Sequence, residues 1–298
     1  MSLRNITFPE ENPFYKIKFR HTLGWFFLFA FALFLQLTLF SNYRKFDIKD
    51  PFINFVLGRL TFIFICAWVW RRLEILGVNP QRLIGKIQQK PQWRLLVLLV
   101  ICRVLFAIGS SLLIYYAISS IFPLFVEARL NEIFKENESK IIQPWLDSVL
   151  KIIFLLPGII LNEFYIQGFL LHRWSTKWGV KIAFFAICLL ASIAGYPNIL
   201  STSSYVLIYT LLYIKTRTLI IPIVAQLFDN VILRIYWQLF PMYSISRNLS
   251  LLEGFRSLWW MGAIMVLLSL PYLLNFVYKN WKLTTEENLP YFANASEY

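Results

Sequence analysis

The sequence predicts an all-α, polytopic membrane protein with about eight transmembrane helices. Hydrophobic residues make up 58% of the 298 residues and charged residues only 15%, whereas soluble domains average about 45–50% and about 25%. Several apolar runs approach the roughly 20 residues that a spanning helix needs. These runs are continuous rather than alternating, which is typical of helices in a membrane rather than of half-buried strands.

A single membrane domain, residues 22–278, is expected between two polar tails, residues 1–21 and 279–298. The N-terminal tail has no short apolar core followed by a cleavage site, so no removable signal peptide is predicted. The fifth and sixth spans are the shortest, and omitting both would leave the two tails on the same side. In chain order the predicted spans are Thr22–Phe40, Phe52–Trp70, Leu95–Phe122, Ser148–Leu171, Ile182–Tyr196, Ser203–Ile214, Leu219–Phe240 and Ser257–Tyr278.

The distribution of basic residues predicts the orientation of these spans. Loops and tails on the N-terminal side hold 17 lysines and arginines, and those on the opposite side hold 8. The more basic side is cytoplasmic as a rule. Both tails are therefore expected in the cytoplasm, and the protein in the plasma or inner membrane. Pro123–Asp147 is predicted to be the largest polar loop, and His172–Lys181 a short basic loop.

The net charge of +13 is attributed to basic residues of these cytoplasmic loops, which contact anionic membrane lipids. Binding of nucleic acid is not expected. Cys66, Cys102 and Cys188 fall inside apolar runs, so neither a disulfide set nor a cysteine metal cluster is predicted. The expected partners are membrane lipids and a transmembrane or lipidated protein.

Polar residues recur on two predicted helices at membrane depth. Glu163 lies in the fourth span, and Gln226, Asn230 and Arg234 follow one face of the seventh. Because ionisable side chains are unfavourable at this depth, such a stripe predicts a functional site, with helix–helix packing as the alternative. We expect Arg234 to approach Glu163 within salt-bridge or one-water distance, with Asp229 as the alternative partner.

Short motifs in the same region resemble those of a known family. The segment Asn162–Leu171 resembles the Glu-Glu-x-x-x-Arg-Gly-x-Leu motif of the CPBP (also Abi or CAAX-protease-like) intramembrane proteases. Ala191–Asn198 resembles their Phe-x-x-x-His motif before Pro-Asn, and Tyr209–Pro222 is similar to the connection that precedes their third motif. Gln226–Asn230 stands where the family has His-x-x-x-Asn. The resemblance implies a CPBP-like core over roughly residues 150–240.

Most positions that carry the family's chemistry are substituted in this chain. In the family, the first glutamate of the pair and the second-motif histidine activate water, while the third-motif histidine and asparagine stabilise the oxyanion. Glu163, the second glutamate of the pair, and Asn230 retain the motif residues and are the candidate catalytic residues that the resemblance implies. The substituted motif positions are Asn162, Gln167, Gly195 and Gln226.

These substitutions predict a catalytically degraded homologue. The amide of Asn162 cannot take a proton from water, and Gly195 has no side chain. Loss of a general base typically reduces a rate by about 10²–10⁴, and loss of an oxyanion donor by about 10²–10³. We therefore expect a polar cavity that binds a membrane-embedded or prenyl-like partner without cutting it.

The sequence leaves two other functions open. One is an active intramembrane endopeptidase that uses Glu163 as a displaced base and Asn230 as the oxyanion donor. The other is a small transporter or a membrane assembly subunit, with the polar stripe as a pathway or a packing contact. A catalytic zinc ion takes about three His, Cys or carboxylate ligands, and Glu163 and Asp229 are the only nearby candidates. No metal or other cofactor is therefore expected.

Overall fold

The computed structural model describes residues 12–17, 31, 51–87, 92–138, 155–194, 199–246 and 249–295. Within these ranges the regular elements are helices, and no strand occurs. The predicted all-α class is therefore confirmed for the part of the chain that the structure describes. The first predicted span, Thr22–Phe40, lies outside it except for residue 31, and Gly195 of the second motif lies outside it as well.

Eleven α-helical segments are numbered here in chain order. The fifth, residues 155–178, is continuous, and its central part, Phe164–Leu170, is a π-helix. The segments are α1 (Pro51–Ile75), α2 (Pro80–Ile84), α3 (Trp93–Ile121), α4 (Pro123–Glu138), α5 (residues 155–178), α6 (Val180–Ala194), α7 (Ile199–Thr216), α8 (Ile220–Ser246), α9 (Leu251–Ser257), α10 (Trp259–Trp281) and α11 (Pro290–Ala293).

Two of the described helices, α3 and α10, are long and apolar enough to cross a membrane, and α6 has a shorter apolar stretch, Val180–Ile193. Helices α3 and α10 pack against each other, and Gly109 and Gly262 lie at their contact. A Cβ at Gly109 would come within 2.7 Å of the Gly262 carbonyl oxygen. Small residues of this kind allow membrane helices to approach closely. The eight-span topology stays a prediction.

The prediction that Pro123–Asp147 is a polar loop is wrong for its first part, because the structure has helix α4 there. Val126 and Leu130 are one helical turn apart and are fully buried in the core that also contains Phe255 of α9. This apolar pair supplies the contact that fixes a helix in an otherwise polar segment. Residues 139–147 lie outside the described ranges.

The short basic loop predicted over His172–Lys181 is also wrong, because α5 continues to Trp178 and α6 begins at Val180. Trp174 is buried and its ring centroid lies 5.5 Å from that of Trp178, which extends the apolar side of α5 by one turn. Gly179 alone makes the connection, with a positive φ of 80°. Glycine adopts that backbone conformation without steric penalty.

Both described tail segments meet at one end of the helix bundle. Asn12 donates a hydrogen bond to Thr176 Oγ1, at 3.1 Å. At the other terminus, the backbone N–H of Tyr291 donates to His172 Nε2 at 3.3 Å, and Asn294 donates to the Arg82 carbonyl at 2.9 Å. The segments that the charge distribution assigns to the cytoplasm therefore contact one another, while the assignment itself stays a prediction.

Candidate functional site

The first and third motif positions are joined by a buried chain of side-chain hydrogen bonds. Glu163 on α5 is 1% exposed and Gln226 on α8 is fully buried. Gln226 Nε2 donates to Glu163 Oε1. The hydroxyl of Tyr205 on α7 donates in turn to Gln226 Oε1. Three helices are thus connected through one glutamine, whose amide has a partner on each side.

A buried ion pair lies beside this chain. Arg103 on α3 is 3% exposed and Asp229 on α8 is fully buried. Arg103 Nη1 lies 2.5 Å from both carboxylate oxygens of Asp229. The hydroxyl of Tyr209 donates to Asp229 Oδ2 at 2.8 Å. The carboxylate of Asp229 therefore has a full set of donors, which is what a buried charge requires.

Arg103 also links the ion pair to the glutamine chain. Its Nη2 donates to the backbone carbonyl of Ser201 at 3.1 Å. Its guanidinium carbon lies 4.9 Å from the centroid of the Tyr205 ring, a cation–π contact. Sequence reasoning did not assign Arg103 to the site, although a lone arginine inside a long apolar run is a signal of a buried partner.

The direct ion pair expected for Glu163 with Arg234 is wrong, while an approach of the two through one water stays a prediction. One carboxylate oxygen of Glu163 accepts from Gln226, and the other has no hydrogen-bond partner among the described residues. The alternative, Asp229 with Arg234, is wrong as well, because Asp229 pairs with Arg103. The charge spacing along α8 could not reveal this, since Arg103 comes from a helix 126 positions away in sequence.

The other motif positions lie around the same centre. Asn230 is half-buried, and its Nδ2 donates to the backbone carbonyl of Gln226 at 2.8 Å. Gln167 is buried on α5, and Asn162 is half-buried next to Glu163. The structure therefore brings the first and third motifs together, as the resemblance implied, while the position of Gly195 is not described.

The π-helix begins directly after Glu163 and contains Gln167. It displaces the positions that follow Glu163 relative to a regular α-helix, and His172 Nδ1 lies 3.2 Å from the Gln167 carbonyl oxygen, five residues earlier. Short π-helical insertions are rare and occur frequently at functional sites. The insertion therefore falls within the first motif, Asn162–Leu171.

Two acceptor atoms in the site have no hydrogen-bond partner among the described residues. These are Glu163 Oε2 and Gln167 Oε1, both shielded from solvent. A buried polar atom without a partner is unfavourable by about 1–3 kcal/mol. A bound group that donates hydrogen bonds to such atoms gains the most binding free energy. Among the described residues, no group of three or more His, Cys, Asp or Glu side chains is placed to hold a metal ion.

Residues 144–232 match a protein-family model described as "Rce1-like: Type II CAAX prenyl endopeptidase Rce1-like". This segment, called the Rce1-like segment below, is similar to that family. The match confirms the family resemblance of the motifs, because it spans Glu163, Gln226 and Asn230. It covers less than a third of the chain. No curated protein and no solved structure matches the chain significantly.

The Rce1-like segment holds α5, α6, α7 and the first part of α8, whereas Arg103 lies on α3, outside it. The match supports a membrane protein related to intramembrane proteases. The ion pair between Arg103 and Asp229 therefore ties the Rce1-like segment to a helix that the family model does not cover.

Proposed function

We propose that this protein is a catalytically degraded homologue of the CAAX-type intramembrane proteases, and that it binds a membrane-embedded or prenyl-like partner without cutting it. The observation that carries the proposal is the hydrogen bond from Gln226 to Glu163. It places a non-titrating amide, at a position where the family has histidine, on the carboxylate that remains at the first motif.

The proton chemistry of this arrangement opposes hydrolysis. A general base must take a proton from water, and Asn162, which stands at the family's base position, cannot do so. At the oxyanion position, one N–H of Gln226 Nε2 is already bound to Glu163 and the carbonyl oxygen to Tyr205, so a single N–H is left for a substrate oxyanion. The losses expected for a base and for an oxyanion donor are not additive, because such groups act as a unit. Each loss alone nevertheless reduces a rate by about 10²-fold or more.

The same atoms favour binding of a peptide backbone. Glu163 Oε2 and Gln167 Oε1 are buried acceptors without a partner among the described residues. Backbone N–H groups of an unwound, membrane-embedded segment are donors that must be satisfied inside the bilayer. A partner that donates to these two acceptors satisfies both sides of the contact.

A second candidate is an active endopeptidase, and the free Glu163 Oε2 favours it. That oxygen could accept a proton from a bound water while Oε1 remains bound to Gln226. Asn230, the proposed oxyanion donor, instead donates to the backbone of its own helix. It would have to rotate away from that carbonyl to reach a substrate, which is why the binding function is preferred.

A reconstituted cleavage and binding assay separates the two functions. The full-length protein is placed in proteoliposomes with a prenylated peptide that carries a fluorophore and a quencher. We expect saturable binding without cleavage above protein-free liposomes, and weaker binding by Glu163→Ala. Glu127→Ala is the matched control, because Glu127 is an exposed carboxylate on α4. Cleavage by the wild type that Glu163→Ala abolishes and Glu127→Ala retains would establish the active protease instead.

A further inference from the structure

A cavity of about 720 Å³ opens between the ends of α3, α7, α8 and α10. This basic cavity, as it is called below, shares no residue with the hydrogen-bonded chain of Glu163, Gln226 and Tyr205. Three cationic side chains line it: Lys215, Arg217 and Lys279. None of the described residues that line it is acidic. Its net charge therefore attracts an anion.

The walls of the basic cavity differ in polarity. Beside the cations lie the exposed amides of Gln92 and Asn275, which can donate hydrogen bonds. The other wall is apolar and includes Leu95, Leu99 and Phe276. The leucines belong to α3 and Phe276 to α10, the two described helices that are long and apolar enough to cross a membrane. A ligand that fits both walls has an anionic part and a long apolar part.

Arg217 occupies an unfavourable backbone conformation at the rim of this cavity. Its φ is +56°, and it is the one described non-glycine residue with a positive φ. Its carbonyl oxygen accepts from Asn294 Nδ2 at 2.9 Å, and a Cβ at Gly85 would overlap the same carbonyl group. The backbone here is held in a conformation that suits glycine. The sequence nevertheless has an arginine, which the fold of the loop does not need.

Lys215 is placed by a separate contact. Its ammonium group lies 5.5 Å from the centroid of the Phe276 ring, a cation–π arrangement between α7 and α10. Lys279 lies in the last turn of α10. The three cations thus come from the loop and helix ends that the charge distribution assigns to the cytoplasmic side. Anionic lipids concentrate their headgroups at that surface.

We propose that the basic cavity binds the phosphate headgroup of an anionic phospholipid, with the acyl chains against the apolar surface of α3 and α10. The cations contact the phosphate oxygens, and the amides of Gln92 and Asn275 contact the glycerol or headgroup hydroxyls. A soluble phosphate shares the anionic chemistry but leaves the apolar wall unused. Basic pockets between membrane helices on the cytoplasmic side are known to accept such headgroups.

The test uses the full-length protein in zwitterionic detergent micelles or nanodiscs, titrated with phosphatidylglycerol, phosphatidylcholine or inorganic phosphate. Bound lipid is counted by native mass spectrometry, and the shift in Tm is followed in parallel. We expect one preferred phosphatidylglycerol, weaker phosphatidylcholine binding and no saturable binding of inorganic phosphate at millimolar concentration. Phosphate binding as strong as that of the anionic lipid would mean that the occupant is a soluble anion, and would overturn the proposal.

Matched variants separate a site from general surface attraction. The triple change Lys215→Gln, Arg217→Gln and Lys279→Gln should weaken phosphatidylglycerol binding at least tenfold, since each basic side chain contributes to attraction of anionic lipid. The control triple removes the same charge at exposed residues of the same predicted side outside the cavity. Equal weakening by both triples would refute the site. The control substitutions are Arg71→Gln, Arg72→Gln and Lys181→Gln.

The single variant Arg217→Gly tests the role of the arginine side chain while the fold of the loop is kept. It keeps the positive φ without steric penalty, and the Asn294 contact uses the backbone carbonyl alone. We expect its Tm without anionic lipid to equal or exceed that of the wild type, while the Tm increase caused by phosphatidylglycerol becomes smaller. An unchanged lipid-induced increase would show that the arginine does not contact the headgroup, and the proposal would fail.

Discussion

Gln226 donates its side-chain amide to the carboxylate of Glu163, across the contact between α8 and α5. The two residues are 63 positions apart in sequence. The motif resemblance places Gln226 where the CPBP family has a histidine. The hydrogen bond therefore joins the retained and the substituted parts of the site, and its energetics can be measured directly.

The first prediction concerns this hydrogen bond. Glu163→Gln should change the free energy of unfolding by less than about 1 kcal/mol, because an amide oxygen accepts from Gln226 as a carboxylate oxygen does. Gln226→Leu should destabilise the protein by about 1–3 kcal/mol, since it leaves the Glu163 carboxyl group buried without a partner. Thermal unfolding in detergent measures both. A loss of 3 kcal/mol or more in Glu163→Gln, on the order expected for a broken ion pair, would contradict this account.

The second prediction concerns Arg103 and Asp229. Arg103→Met leaves a buried carboxylate without its cation, so the protein should lose about 3–5 kcal/mol of stability. The double change Arg103→Met and Asp229→Leu should lose less, because it removes both charges. Arg71→Met, at an exposed arginine, is the control and should have little effect. Additive losses in the double variant, measured by thermal unfolding, would show that the pair is not coupled.

The third prediction is a pH dependence at His172, which follows the predicted fourth span and contacts the C-terminal tail. Burial lowers the pKa of His172 from 6.5 to about 4. Its Nε2 accepts from the Tyr291 N–H, so Nδ1 carries the proton and donates to Gln167. The unfolded chain binds a proton below about pH 6.5 and the folded chain only near pH 4. Stability is therefore complete above pH 6.5 and falls as the pH is lowered towards 4.

The measurement is the unfolding free energy between pH 7 and pH 4, compared with that of His172→Gln. A glutamine has one donor and one acceptor for the same two partners and does not titrate. The wild type should lose on the order of 3 kcal/mol more than the variant across this range. Parallel pH profiles would show that His172 does not contribute.

The fourth prediction is the orientation in the membrane. In a background without the native cysteines, Glu127→Cys should react with an impermeant thiol reagent added outside intact cells. Lys181→Cys should react only after the membrane is opened. Both positions are exposed, so access to the reagent depends on the side of the membrane. The opposite labelling pattern would reverse the orientation predicted from the basic residues.

The fifth prediction concerns the lost chemistry. The wild type should leave peptide substrates of CAAX-type proteases intact. The triple change Asn162→Glu, Gly195→His and Gln226→His supplies the residue types for water activation and oxyanion binding, and measurable cleavage by this variant would support the assignment. The wild-type result is decisive, because productive geometry must hold within about 0.5 Å and the neighbouring Tyr205 now binds the amide of Gln226.

The polar loop predicted over Pro123–Asp147 shows where sequence reasoning failed. Composition marked it as polar, whereas two buried side chains, Val126 and Leu130, fix helix α4 against α9. Whether a short apolar stripe forms the buried face of a helix depends on the surface that it packs against. The same holds for Trp174, which continues α5 through a segment predicted to be a basic loop.

The sequence by itself determined the helical class, the approximate helix positions and the motif positions Glu163, Gln226 and Asn230, because continuous apolar runs and fixed spacings are local properties. Only the tertiary structure decided which polar groups meet. Gln226 rather than Arg234 faces Glu163, and Arg103 of α3 neutralises Asp229. Each buried polar group must find a partner, and which partner lies within reach depends on how distant helices pack.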